Sequence, residues 1–332
     1  MHDMMTDTIA DNYGLIAAYL LDGKGGGKKL GWPEINLIHP DEGIVWVHLD
    51  YTSSTAQQWL RESSGLDELI CDALLADETR PRSITTRDGL LVTLRGMNLN
   101  PGANPEDMVS IRVWINDKRI ISTRKRHLLS IDDLRRSIDQ DYGPITPGEF
   151  LVHLADRLSD RMANVIDELE DTVDILQEQV LSAESHKLRT QIAAVRLEAI
   201  SLRRYLAPQR EAISRLYNER LPWLSETDRM QLREIADRTM RYVEDLDAAR
   251  ERVTVTQEEL MSRLSEQMNR RMYILSIVAV VFLPLGFLTG LLGINVGGIP
   301  GADYKGSFII FSLMLIIIVL LQIWIFKWKK WM

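Results

Sequence analysis

The chain has 332 residues and a formal net charge of −8, from 47 acidic and 39 basic side chains. That charge is uneven: residues 272–332 hold Lys305, Lys327, Lys329 and Lys330 against Asp303 alone, a net +3, which leaves −11 on residues 1–271. An acidic body argues against nucleic-acid binding, which favours a basic face, and the single cysteine, Cys71, excludes a disulfide framework and a cysteine-rich zinc site.

The length suits about two domains. Met1–Ala10 is polar and acidic without an apolar core, so no signal peptide is expected. Residues 1–148 read as a mixed α/β body. Gly14–Leu21, Ile44–Leu49, Leu90–Met97, Val109–Asn116 and Arg119–Thr123 are short, rich in β-formers and bounded by turn residues, which predicts strands. Ala56–Ser63, Asp67–Ala76 and Ile131–Asp139 read as helices, and Asn100–Pro105 as a loop between strands. Gly23–Lys29 (GKGGGKK) lacks the spacing and the Lys-Ser/Thr ending of a phosphate loop and is expected to be a flexible turn.

From Glu149 to Ala207 there is neither Gly nor Pro, and Phe150, Leu154, Leu158, Met162, Val165, Leu169, Val173, Leu176 and Val180 recur at helical steps. Ser182–Ser185 is expected to turn the chain into a second helix, through Leu202, Leu206, Ile213 and Leu216, kinked at Pro208. Acidic residues crowd the first of these helices, among them Asp167, Glu170, Asp171 and Asp174. They read as a solvated face, or as a carboxylate surface that attracts divalent cations at low affinity. His48 reads as a structural strand residue, and His153 as solvent-exposed with Asp156 in pairing range.

Residues 223–283, between Pro222 and Pro284, carry no helix breaker. Ser225 or Thr227 can cap the start, and the predicted helix, from near Glu226 into the apolar region, is roughly 100 Å long at 1.5 Å per residue. Its seam of Val243, Leu246, Val253, Leu260 and Leu264 is interrupted by Arg250 and Gln257, and suits self-association of several chains better than one buried core.

No charged residue occurs from Met272 to Ala302 or from Gly306 to Phe326. Two stretches, about 272–292 and 307–326, therefore meet the length and composition of membrane-spanning helices. Arg263, Arg270 and Arg271 precede the first; Lys327, Lys329 and Lys330 follow the second; residues 293–306 between them hold Lys305. This bias predicts that both ends lie in the cytoplasm, with Trp324, Trp328 and Trp331 in an interfacial belt. The expected organisation is a body over 1–148, long helices over 149–225, a stalk over 226–271, a first span over 272–292, an outer loop over 293–306, a second span over 307–326 and a basic tail over 327–332. The scattered histidines offer no nucleophile–base pair, so no enzyme is expected.

Along the first span Ser276, Ala279, Leu283, Gly286, Gly290 and Gly293 recur at steps of three and four, and all but Leu283 are small. Gly286 and Gly290 form a GxxxG pair, which suits close helix packing. The same face suits a narrow path around a symmetry axis, which two spans per chain can enclose only in an oligomer. Gly293 is placed to end the helix, and Asn295 adds an uncharged amide whose ring can hold a hydrated cation through its waters. A membrane-tethered scaffold that moves no ion is the competing reading.

Pro284, Gly290, Gly293, Ile294 and Asn295 resemble the Gly-Met-Asn signature of the CorA metal-ion transporter family, with Ile294 in place of Met. Leu202-Arg203-Arg204 with Pro208-Gln209-Arg210-Glu211 is similar to that family's funnel segment. Glu78–Arg82, Leu94–Asn100 and the run 293–301 resemble its zinc-transporter branch, ZntB. The resemblance covers the whole chain. It implies a homopentamer in the bacterial inner membrane: an α+β cytoplasmic domain, long funnel and stalk helices, and two C-terminal transmembrane helices, the first lining the pore. It implies that Gly293, Ile294 and Asn295 form the outer selectivity filter, with Asn295 holding the cation through water. Counting back places Gly290, Gly286, Leu283, Ala279, Leu275, Met272 and Asn269 on the pore, with Leu283, Leu275 and Met272 as apolar constrictions. Glu258, beside Glu259, falls where the magnesium branch has a regulatory carboxylate.

The implied activity is Zn²⁺ uptake, with a Mg²⁺ or Co²⁺ channel gated by cytoplasmic cations as the alternative. The implied partners are copies of the chain, the lipid bilayer and divalent cations, with no nucleic acid and no cofactor beyond the transported ion. Two departures matter. The acidic residue that usually follows the signature in the magnesium branch is replaced by Val-Gly-Gly-Ile-Pro-Gly, and the last histidine is His186. Zinc, which prefers Cys and His ligands, is therefore expected to cross hydrated and with poor discrimination. The proton coupling that the resemblance suggests finds no Asp, Glu or His in either span to relay it.

Overall fold

The computed structural model of the chain describes residues 13–38, 42–77, 79–182, 186–293, 299, 301 and 304–329. They fall into two compact units, Met1–Gln257 and Glu258–Met332. The strands are β1 (Leu15–Leu21), β2 (Gly27–Lys29), β3 (Ile44–Asp50), β4 (Arg82–Thr85), β5 (Leu90–Gly96), β6 (Val109–Ile115) and β7 (Arg119–Arg124). The helices are α1 (Trp32–Ile35), α2 (Ser54–Glu62), α3 (Glu68–Leu75), α4 (Leu129–Asp139), α5 (Pro147–Ser182), α6 (His186–Asn218), α7 (Glu226–Gly293) and α8 (Ser307–Trp328).

The strands form one sheet in the order β2-β1-β3-β7-β6-β5-β4. β3 and β7 run parallel and every other neighbouring pair antiparallel. The side-chain alternation of β3 explains how both faces are covered. Val45, Val47 and Leu49 enter a core with Trp59 and Leu60 of α2 and Ile70 and Leu74 of α3. Trp46 stacks on Tyr19 at 5.8 Å and meets Phe150 of α5 edge-on at 5.0 Å. Burial on both faces accounts for the near-continuous apolar runs of the central strands.

The GKGGGKK segment differs from the expected flexible turn. Asp22–Gly26 is the turn: Asp22 N donates to the Gly26 carbonyl at 3.0 Å, and the Asp22 carboxylate accepts from Lys24 N and Gly26 N. Gly25 has φ +106°, and a Cβ there would lie 2.7 Å from the Asp141 carbonyl oxygen, so only glycine fits. Gly27–Lys29 then pairs with β1 as a strand.

His48 lies fully buried on β3, as its pattern suggested. Its Nδ1 is 2.8 Å from Ser122 Oγ, and Arg124 Nε donates to its Nε2 at 3.2 Å. Arginine can only donate, so Nε2 must be the bare nitrogen and the ring neutral. Burial first, then the Arg124 and Arg135 charges, hold its pKa well below the ordinary 6.5. Half-buried His153 shifts the same way through burial and Arg157. As pH falls through 6.5 the unfolded chain gains protons that the folded one refuses, so stability declines with acid, by about 1.4 kcal/mol per pH unit for each proton. His48→Gln is therefore expected to lose less stability between pH 7.5 and pH 5.5 than the parent. Thermal unfolding of the detergent-solubilised protein at the two pH values measures this; an undiminished pH dependence would refute the assigned cause.

Of the turn expected over Ser182–Ser185, Ser182 is instead the last residue of α5, and residues 183–185, before α6, lie outside the described residues. Pro208 sits inside α6, which continues to Asn218. α7 opens with a reciprocal cap: Ser225 Oγ accepts from Asp228 N at 3.1 Å, and the Asp228 carboxylate accepts from Ser225 N at 2.9 Å. Ser225, rather than Thr227, is thus the capping residue. Most of the seam expected to join several chains is instead covered within one chain, Leu264 being only half-buried. Val243, Leu246 and Val253 are buried, and α7 is tied to α5 and α6 by Arg238–Asp156 (2.5 Å), Arg252–Gln177 (3.0 Å) and Arg203–Asp247 (2.6 Å).

Candidate functional site: the first apolar span and its flanks

α7 is helical without interruption from the polar stalk to Gly293, its final residue. Asn269, Met272, Leu275, Ala279, Leu283, Gly286 and Gly290 all lie on it. Steps of three and four keep the set from Met272 to Gly293 on one side of the helix. That side is bare in the single chain: Leu275 is 70% and Leu283 73% exposed. A Cβ added at Gly286, Gly290 or Gly293 would meet nothing within 4 Å. Ile294 and Asn295, the rest of the expected filter, lie outside the described residues, as do Glu78, Asp303, Lys330 and Trp331.

The half-buried positions of α7 in this unit form a different stripe: Ile277, Val281, Pro284, Leu285 and Leu288. At about 100° per residue this stripe lies roughly half a turn around the helix from the bare glycines. α8 meets α7 beside it, where Gln322 Nε2 donates to the Val280 carbonyl oxygen at 3.4 Å. The chain's own second span therefore leaves the small-residue face uncovered. Thr289, whose hydroxyl lies beside that face, is satisfied on its own helix by the Leu285 carbonyl at 2.9 Å and the Gly286 carbonyl at 3.1 Å. Near the end of α8, Trp324 and Trp328 stack at 5.7 Å, in the place expected for an interfacial belt.

The acids outside the apolar spans behave differently from one another. Asp174 is held by Arg252, and Glu259 by Arg263 at 2.6 Å; Glu258 is exposed. Asp167, Glu170 and Asp171 are joined by two carboxylates of α7 that helical periodicity alone did not single out, Glu244 and Asp245. Partial burial and then Asp245 push the Glu170 carboxyl up, and partial burial, then Glu244 and Asp167, push Asp245 up. Each pair lies close enough to repel. Among the described residues no group of three or more His, Cys, Asp and Glu converges to hold a metal. Asp156 pairs with Arg238 rather than with His153, and His153 is half-buried rather than exposed, with Nδ1 enclosed and unpartnered among the described residues. The reason is the stalk: α7 supplies Arg238, a stronger partner than a neutral imidazole, and its Gln231, Ile235 and Arg238 line the same pocket as His153.

Two segments that carried the family resemblance meet in space. Gln209, from the Pro-Gln-Arg-Glu run of α6, is 1% exposed, and its side-chain oxygen accepts from the backbone N–H of Arg95 in β5 at 2.7 Å. The Arg95 guanidinium donates to the Thr79 and Met108 carbonyls and lies over the Tyr205 ring at 4.1 Å. Their partnership fastens α6 to the sheet.

Comparison with known proteins agrees with this arrangement. The family model described as CorA-like Mg²⁺ transporter protein matches residues 41–329. The chain is 43% identical over 330 residues to the divalent cation transporter CmaX of Pseudomonas aeruginosa, covering 97% of this chain and 98% of that protein. It is 42% identical over 319 residues to the zinc transport protein ZntB of Pectobacterium carotovorum, covering 96% of each. The solved structure of full-length CmaX matches with a TM-score of 0.84 at 42% identity, over 97% of this chain and all of that one. The CorA magnesium transporter of Methanocaldococcus jannaschii, at 18% identity, matches with a TM-score of 0.81 over 96% of this chain and 99% of that one, a likeness of fold.

Proposed function

The chain belongs to the CorA-like transporter family, and from that premise we propose that it takes up Zn²⁺ as a hydrated ion along the axis of a homopentamer. It is a divalent-cation transporter of that family and not an enzyme. In this reading both termini face the cytoplasm, α7 lines the path from Asn269 to Gly290, and Gly293, Ile294 and Asn295 form the outer filter. The observation that carries the reading is the bare face of α7: small residues at Ala279, Gly286 and Gly290, exposed and turned away from α8, with open space beside both glycines among the described residues. Small residues let helix backbones approach closely, so such a face suits packing against other copies around an axis. Zinc is favoured over other divalent ions by the likeness to ZntB across 96% of the chain.

A second reading, a Mg²⁺ or Co²⁺ channel, is favoured by one feature: the spans hold no Cys or His, so nothing soft distinguishes zinc. Flux of Zn²⁺, Co²⁺ and Mg²⁺ into proteoliposomes of the full-length protein separates the two. The zinc reading expects Zn²⁺ to enter fastest at equal concentration, and Mg²⁺ outrunning it would overturn that. An inward proton gradient in the same vesicles should accelerate entry if protons travel with the metal. Carboxylates such as Glu258, Glu170 and Asp171 are proposed to attract cations at low affinity without caging them.

A further inference from the structure

Pro284 lies inside α7 and has no N–H, so the carbonyl four residues earlier, that of Val280, loses its normal helical donor. The group that reaches this carbonyl comes from the other span: Gln322 Nε2 of α8, at 3.4 Å. Gln322 belongs to the half-buried stripe of α8, with Leu315, Ile318, Val319 and Ile325, which recurs at helical steps. Its Oε1 is enclosed with no partner among the described residues. The amide therefore has one useful orientation, since reversing it would set oxygen against oxygen. In a hydrocarbon setting water cannot replace the missing donor, and freed backbone groups in spanning helices must be met by neighbouring side chains.

Val280, which receives this bond, directly follows Ala279, a residue expected on the path. Pro284 follows Leu283, the expected constriction, and precedes Gly286, where the face becomes glycine. We propose that Gln322 is a positioning residue: it supplies from α8 the hydrogen bond that Pro284 withholds in α7, and so holds the pore helix in its conducting shape. The bond stands on the geometry alone; its role in transport rests on the reading that α7 lines the path.

A double-mutant cycle on the full-length protein tests it. Gln322→Met keeps the length and removes the donor, and Pro284→Ala returns an N–H to α7. Zn²⁺ entry into proteoliposomes and the unfolding midpoint in detergent are read for all four proteins. Gln322→Met is expected to lower the maximal rate five- to tenfold with the half-saturating concentration little changed, and to lower the midpoint. In the Pro284→Ala background the same substitution should do neither, because Val280 no longer needs the amide. An equal effect in both backgrounds overturns the bond. Coupling in the midpoint with wild-type flux in Gln322→Met overturns the positioning role. The midpoint still reads the cycle if Pro284→Ala itself stops flux, and Gln322→Ala serves if Gln322→Met is not recovered folded. Absence of flux in the parent protein would instead count against the transport reading.

Discussion

Gly290→Leu and Gly286→Leu should each reduce divalent-cation flux about a hundredfold or more, equivalent to about 2.7 kcal/mol on the barrier. In the isolated chain a Cβ at either position enters open space. Replacing glycine inside a helix also favours the helix by up to about 1 kcal/mol. Loss of the fold is therefore not the expected cause of lost flux. If several α7 helices surround an axis, each substitution adds a ring of isobutyl groups, and a hydrated ion meets an apolar constriction that gates by dewetting. Gly→Ala at the same positions should be milder. The GxxxG alternative, in which these glycines only bring helices together, makes a different forecast: leucine would split the oligomer. Oligomer mass in detergent beside flux in vesicles separates the outcomes. An intact oligomer that still carries ions at the parent rate would remove these glycines from the path.

What the sequence made legible follows from which signals are local. The central strands carry enough apolar, β-branched residues to be found within one residue at each end. The two strands that were missed, β2 and β4, are the outer edges of the sheet. Edge strands are short and polar so that they do not recruit another chain, and Lys28 and Lys29 on β2 carry that signature. Nothing in three residues of Gly-Lys-Lys separates a strand from a turn until β1 is placed beside it. The stalk illustrates a second limit. Periodicity shows that Val243, Leu246 and Val253 share a buried side, but not whose surface covers it. Their cover became visible only with α5 and α6 in place, and with it Arg238 took Asp156 from His153. The same blindness hid Asp245 opposite Asp167. The spans were legible because so long a run without charge is rare outside a bilayer, whereas Gln322 reads as a tolerated polar residue until Pro284 is seen to need it.

Asn295→Ala should lower Zn²⁺ flux about tenfold, near 1.4 kcal/mol, and bring the entry rates of Zn²⁺, Co²⁺ and Mg²⁺ closer together. Asn295 comes two residues after Gly293, the last described residue of α7, and the charge bias assigns that end of the span to the outer side. The stretch that follows it, Val296 to Gly301, offers no charged side chain, and the nearest carboxylate is Asp303. An amide oxygen is thus the strongest side-chain acceptor available to a cation entering there. A ring of amides contacts the hydration shell rather than the metal, which suits entry and release alike. Alanine removes that ring and leaves the ion to the neighbouring backbone carbonyls. Asn295→Asp makes the complementary test. A ring of carboxylates should hold the ion more tightly, lowering both the half-saturating concentration and the maximal rate, because release becomes slow. Initial rates over a range of metal concentrations in proteoliposomes give both parameters for each variant. If alanine leaves rate and selectivity unchanged and aspartate leaves the half-saturating concentration unchanged, the outer filter lies elsewhere than at Asn295.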